Sequence, residues 1–150
     1  MGEWQARAQR SRGFTLIELV VVMTILTILA GAVAIQITNR TRHAKRARAL
    51  QDVNTLETAL DLYAADNGSP PTTQQGLQAL RHKPSSAPVP QNWNGPYIKK
   101  SPTDPWGNEY VYRYPGQMNP DGYDVLCYGE DGRPGGSDEF SADISNFDEE

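Results

Sequence analysis

The chain has 150 residues, room for one modest domain and not for two, and 38% of them are apolar at a mean hydropathy of -0.59. Its net charge of -4 disfavours nucleic acid as a partner. A single cysteine, Cys127, excludes an intrachain disulfide, and neither His43 nor His82 has a visible link to it. No nucleophile–base pair or carboxylate dyad stands out, so the chain is not expected to be an enzyme.

The apolar residues are unevenly spread. Residues 1–13 carry Arg7, Arg10 and Arg12, and then Phe14 to Ile37 (FTLIELVVVMTILTILAGAVAIQI) form a run of 24 residues with Glu18 as the one charge. As a helix this run spans roughly 36 Å, against about 30 Å of bilayer hydrocarbon, so by length it is a membrane span. A basic flank before an apolar run also describes a secretory signal. Ala30-Gly31-Ala32 and Ala32-Val33-Ala34 offer small-residue sites for ordinary signal peptidase. Two features count against a disposable signal. The run exceeds the usual 7 to 15 residues or so of a signal's apolar region. Glu18 also puts a carboxylate in it at a cost of about 2.5 to 3.5 kcal/mol on insertion scales.

A retained carboxylate in lipid calls for a cation, and no side chain in the run supplies one. A cut between Gly13 and Phe14 would create an α-amino group four residues before Glu18. The two are poorly placed to meet within one short helical segment, but axially staggered neighbouring chains would let them pair. Assembly would then remove an uncompensated charge from lipid. Loss of residues 1–13 removes three Arg and Glu3, leaving 11 basic and 17 acidic residues, net -6.

Arg12-Gly13-Phe14-Thr15-Leu16-Ile17-Glu18 ahead of a long apolar helix closely resembles the prepilin-type processing site of type IV pilins and type II secretion pseudopilins. The resemblance implies that a prepilin peptidase of the inner membrane cuts after Gly13 and N-methylates Phe14. It implies too that Glu18 helps dock each subunit into a filament. Five basic residues (Arg40, Arg42, Lys45, Arg46, Arg48) follow the run, against three before it, opposite to plain positive-inside counting. They read as a solvated face of the continuing helix, within reach of headgroups or acidic neighbours.

Beyond the run, Ala44, Ala47, Leu50, Val53, Leu56, Leu60 and Tyr63 recur at spacings of three and four, an amphipathic helix. Asn67-Gly68 and Pro70-Pro71 stop it, so one helix is expected from Phe14 to about Ala65, roughly 78 Å long. Asp61 and Asp66 read as surface positions on it. Thr73 to Arg81 reads as a short helix capped by Thr72 or Thr73. Glu109 to Tyr114 and Tyr123 to Tyr128 read as strands joined through Pro115-Gly116 and Asp121-Gly122. Alternation puts Cys127 on the same face as Tyr123 and Val125, as a small buried apolar residue. One long helix with a small antiparallel sheet is an α+β layout.

From Tyr128 to Glu150 there are eight carboxylates and one Arg in a Gly-rich frame: Gly129-Glu130-Asp131-Gly132, Gly135-Gly136-Ser137-Asp138-Glu139 and Ala142-Asp143-Ile144. A hard cation such as Ca²⁺ takes about six to eight oxygens, and Gly permits the tight turns. EF-hand spacing is absent. On composition a solvated acidic loop and a cation site both stay open.

PPTTQQGLQAL, GPYIKKSPTDPWGNEYVY, YDVLCYGEDG and a late ADI closely resemble the major pseudopilins of the type II secretion system, over about Arg12 to Phe147. The resemblance implies a pilin-like α+β fold in three parts: a leader (1–13, removed), a transmembrane and assembly helix (14–37) and a periplasmic domain (38–150). It implies a structural Ca²⁺ held by Asp131 and Asp143 with the backbone carbonyls of Tyr128 and Arg133. Asp138 and Ser137 are less firmly placed, because loop length varies there, and Asp148-Glu149-Glu150 reads as a solvated tail. The implied protein is a single-pass inner-membrane subunit that polymerises with itself and meets minor pseudopilins, the prepilin peptidase, the inner-membrane assembly platform and the lipid bilayer. The filament would help drive folded proteins across the outer membrane. One departure from the family pattern is Ile35, where the family usually carries Pro. A type IV pilin for adhesion, motility or DNA uptake, and a secreted Ca²⁺-binding domain, are the alternatives.

Overall fold

The computed structural model describes residues 13–147, with the side chains of 32–36 left aside. The expected leader therefore lies, apart from Gly13, outside the described residues, as does the acidic tail 148–150. The chain divides into two compact units, the first ending at Asn39 and the second beginning at Arg40. Helix α1, Leu16–Asn67, supplies most of the first and the helical part of the second.

In the first unit every described side chain from Gly13 to Gly31 is exposed, and Leu16 reaches 82% and Ile28 68%. A helix that is apolar on all sides calls for apolar surroundings. The two threonines in this stretch hide their hydroxyls in the helix: Thr24 Oγ1 donates to Val20 O and Thr27 Oγ1 to Met23 O, each at 2.8 Å. Among the described residues no helix is long and apolar enough to cross a membrane. With 32–36 set aside, the apolar part that remains is Leu16 to Gly31, about 24 Å at 1.5 Å per residue.

Helix α1 ends where Asn67-Gly68 was expected to end it. Gly68 takes φ +86° and its N–H returns to Ala64 O at 2.7 Å, a glycine cap after the last turn. Its buried face in the second unit is Ala49, Val53, Leu56, Ala59, Leu60 and Tyr63. This corrects the first part of the expected stripe, because Ala44, Ala47 and Leu50 are exposed. The face that turns inward there carries Arg42, Lys45 and Arg46, all partly buried. Arginine stems can cover loop surface while the guanidinium finds a polar partner, which an alanine cannot do.

The helix expected over Thr73 to Arg81 is a single 3-10 turn, Leu77–Leu80. Gly76, at φ 58° and ψ -171°, breaks any longer helix. The expected cap is present one turn early: Gln75 N donates to Thr72 Oγ1 at 3.2 Å and Thr72 N to Gln75 Oε1 at 3.1 Å. Thr73 is used elsewhere, exchanging hydrogen bonds with the backbone of Tyr114.

Strands β1 (Val111–Arg113), β2 (Asp124–Cys127) and β3 (Ile144–Ser145) form one antiparallel sheet in that order, with Tyr112 opposite Val125 and Cys127 opposite Ile144. The first two are shorter than expected, and β3 was not expected as a strand. Glu109 pairs with Thr103 instead of entering β1, closing the Asp104-Pro105-Trp106-Gly107 turn. There Asp104 Oδ1 accepts the N–H groups of Trp106 and Asn108. Just past β3, Asn146 continues the ladder with its side chain, as Val125 N donates to Asn146 Oδ1 at 2.8 Å. Val125, Cys127, Ile144, Tyr110, Tyr112 and Tyr123 form one core with the buried face of α1. Truncating the fully buried Leu60 to Ala costs about 2–5 kcal/mol by the usual cavity penalty.

Three carboxylates of α1 fasten the rest of this unit through tyrosines. Tyr110 OH donates to Asp52 at 3.3 Å, Tyr123 OH to Asp61 at 2.7 Å and Tyr97 OH to Asp66 at 2.7 Å. Asp61 and Asp66 are thus more than solvated surface. Burial first, and the facing carboxylates second, raise the phenol pKa values of Tyr110 and Tyr123.

Candidate assembly and metal-binding sites

The start of α1 is a reciprocal cap. Gly13, Phe14 and Thr15 precede the helix, Glu18 N donates to Thr15 Oγ1 at 3.3 Å, and Thr15 N donates to Glu18 Oε2 at 3.4 Å. This is the capping-box spacing Thr-x-x-Glu, which satisfies two orphan donors and places a carboxylate at the positive end of the helix dipole. The pattern was present in Thr15-Leu16-Ile17-Glu18 and went unread beside the processing motif. The Gly13–Phe14 bond lies outside the helix, with Phe14 82% exposed and open space where a Cβ on Gly13 would stand. Among the described residues Glu18 has no ion-pair partner. Its carboxylate is held by the cap and is exposed at the helix start.

The acidic loop follows β2. Gly129 and Gly132 both sit at φ +65°, Gly135 at +90° and Gly136 at +121°. A Cβ on Gly136 would stand 2.2 Å from Ser141 O, so this position needs glycine for space as well as for φ. The two ends of the loop meet where Glu130 N donates to Phe140 O at 2.9 Å. Asp131 Oδ1 accepts Arg133 N at 3.1 Å, and both carboxylate oxygens of Asp143 accept Gly135 N, at 3.1 and 3.0 Å. Asp131 therefore lies in the turn 131–135, and Asp143 reaches the end of that turn through Gly135 N.

Asp138 has another use. It accepts Phe140 N, Ser141 N and Ser141 Oγ, and these bonds hold its carboxyl below the usual range, the Ser141 hydroxyl contributing most. Ser137 is exposed beside it and Tyr128 is partly buried at the end of β2. Among the described residues no group of three or more His, Cys, Asp or Glu is assembled as a metal cluster. The donor set still fits a hard cation, because Asp131 and Asp143 present oxygen only and the remaining oxygens would come from the backbone.

Two arginines of α1 reach this loop, so part of the basic face finds an acidic neighbour within the chain instead of standing solvated. Arg42 contacts Glu130 Oε2 through Nε at 2.7 Å and Nη2 at 2.5 Å, and its guanidinium lies 4.0 Å from the centre of the Phe140 ring. Arg46 Nη1 donates to Ala142 O at 3.1 Å. The signal for this pairing was five cations on one helix and a carboxylate-rich loop in the same chain. Cys127 is buried, and burial pushes its thiol pKa up, so it is a packing residue.

An N-terminal processing-type cap on an exposed apolar helix, and a small sheet with an acidic loop, define a pilin-like α+β subunit. Residues 8–34 match the prokaryotic N-terminal methylation motif, and residues 36–147 match the type II secretion system protein G family. A type II secretion system core protein G of Pseudomonas aeruginosa is 50% identical over 143 residues, covering 95% of this chain and 98% of that one. The Vibrio cholerae protein of the same description is 44% identical over 142 residues, covering 94% of each. A crystal structure of the major pseudopilin from the type 2 secretion system of enterohaemorrhagic Escherichia coli matches with a TM-score of 0.60 at 39% identity, covering 72% of this chain and 87% of that one. The chain belongs to the type II secretion system protein G family. It is a structural pseudopilin, membrane-anchored or periplasmic, and not an enzyme.

Proposed function

We propose that the chain is made as a precursor, cut between Gly13 and Phe14 by a prepilin peptidase, and N-methylated on Phe14. The apolar run then anchors it as a single pass in the inner membrane, with the domain from residue 38 onward in the periplasm. From there it polymerises, with minor pseudopilins and on an inner-membrane assembly platform, into a pseudopilus that helps drive folded proteins across the outer membrane. The observation that carries this reading is the start of α1. An accessible Gly13–Phe14 bond stands directly before a capped helix whose described side chains to Gly31 are exposed and, but for Glu18 and two self-bonded threonines, lack polar groups. Such a surface needs lipid or copies of itself around it.

The mature α-amino group of a neighbouring chain would supply Glu18 with a cation, which it does not have among the described residues. A Ca²⁺ in the acidic loop, held by Asp131, Asp143 and the carbonyls of Tyr128 and Arg133, would offset the crowded carboxylates and stiffen the turn. Deleting the gene should stop release of the host's exported enzymes, while electron microscopy of the wild type at native expression shows no long surface fibres. Abundant fibres with undiminished release would instead make the chain a type IV pilin.

A further inference from the structure

The acidic loop is fastened to α1 at both ends, and each fastening is next to a residue expected to bind the cation. Arg42 holds Glu130, the neighbour of Asp131, and Arg46 holds the carbonyl of Ala142, the neighbour of Asp143. Arg42 and Arg46 are one turn apart on the same helix face, four residues in sequence, so a single rigid element grips both strands of the loop's neck. The neck is itself closed by Glu130 N to Phe140 O, and the Arg42 guanidinium covers the Phe140 ring. His43 adds an edge-on contact to that ring at 4.9 Å and lies 3.5 Å from Glu139.

We propose that Arg42 and Arg46 are positioning residues for the acidic loop, holding Asp131 and Asp143 in the arrangement that takes a divalent cation and so setting the loop's affinity for it. This rests on the Ca²⁺ reading above. Two effects of opposite sign compete. Cations beside the loop repel Ca²⁺, but Arg42 is already neutralised by Glu130, and at these partly exposed positions the repulsion is screened. Against that, the loop carries Glu130, Asp131, Asp138, Glu139 and Asp143, with Arg133 as its one internal cation. Without the clamp the carboxylates repel one another apart. If the competent fraction then falls to about a tenth, the apparent Kd rises about tenfold. Preorganisation wins.

The test is limited chymotrypsin digestion of the full chain in detergent micelles, following the fragment cut after Phe140 by mass while Ca²⁺ is titrated. In Arg42→Ala and Arg46→Ala chains the cut should be faster without Ca²⁺, and half-protection should need about tenfold more Ca²⁺ than in wild type. Arg42→Lys, which keeps the charge but loses the fork and most of the stacking, should fall between. Arg48→Ala, whose partner is Asp52 on the helix itself, should match wild type. Glu130→Gln weakens the same clamp from the loop side, so the result does not hang on the folding of the arginine variants, and unshifted tryptophan emission would show an intact core. Equal or tighter Ca²⁺ protection in the arginine variants overturns the inference and leaves the metal reading standing. If Ca²⁺ protects no chain, wild type included, the metal reading fails and this inference with it.

Discussion

Asp124 is almost fully buried in β2, and backbone N–H groups are its main support. Its carboxylate accepts the N–H groups of Gln117, Met118 and Asn119 at 2.6, 2.9 and 3.0 Å. Burial raises its pKa, but the three donors, with help from Arg113, outweigh that and leave it below the usual value of about 3.9. A carboxyl depressed by folding contributes stability above its unfolded pKa and loses it as pH falls through the folded one. Asp124→Asn should therefore cost about 1–3 kcal/mol at neutral pH, and the gap to wild type should close below about pH 4. Melting curves from pH 7 to 3 read this directly, and a gap independent of pH would assign the effect to packing. None of this was legible in Tyr-Asp-Val-Leu-Cys-Tyr, where alternation turns Asp124 outward. The 117–119 turn that covers it is set by tertiary contacts. Cys127 needed only the strand's alternation and was legible.

At the scale of elements, periodicity read well where packing follows the helix repeat and poorly where a side chain has two uses. Val53, Leu56, Leu60 and Tyr63 are core as expected, whereas the alanines at 44 and 47 yield the inner face to Arg42 and Arg46. Strand β3 is two residues long, too short for alternation to show, and exists because Ile144 fills the core opposite Cys127. The acidic loop was visible as composition, but its closure at Glu130–Phe140 and the hydrogen bond from Gly135 N to Asp143 are results of the folded loop. This element carries its own prediction. Ca²⁺ at a hundredfold excess over Kd should stabilise the fold by about 2.7 kcal/mol, seen as a rise of several degrees in the melting temperature of the full chain in detergent. Asp131→Ala should abolish the rise. An unchanged response in that variant removes Asp131 from the site.

For the whole molecule, the motif at the N-terminus was legible as a short local pattern, matched over residues 8–34, and on the proposed function Gly13, Phe14 and Glu18 act at that one helix start. The structure adds that Thr15 and Glu18 cap that helix together, so the carboxylate is presented in a fixed place before any neighbour arrives. On the proposed function, processing, anchoring and assembly all depend on where the mature chain begins. Mass spectrometry of the N-terminal peptide of the protein isolated from membranes measures this most directly. The expected peptide starts at Phe14 and carries one added methyl on its α-amino group. A mature chain starting at Val33 or Ile35 would contradict the filament subunit, because it would have lost Glu18 and the apolar helix together.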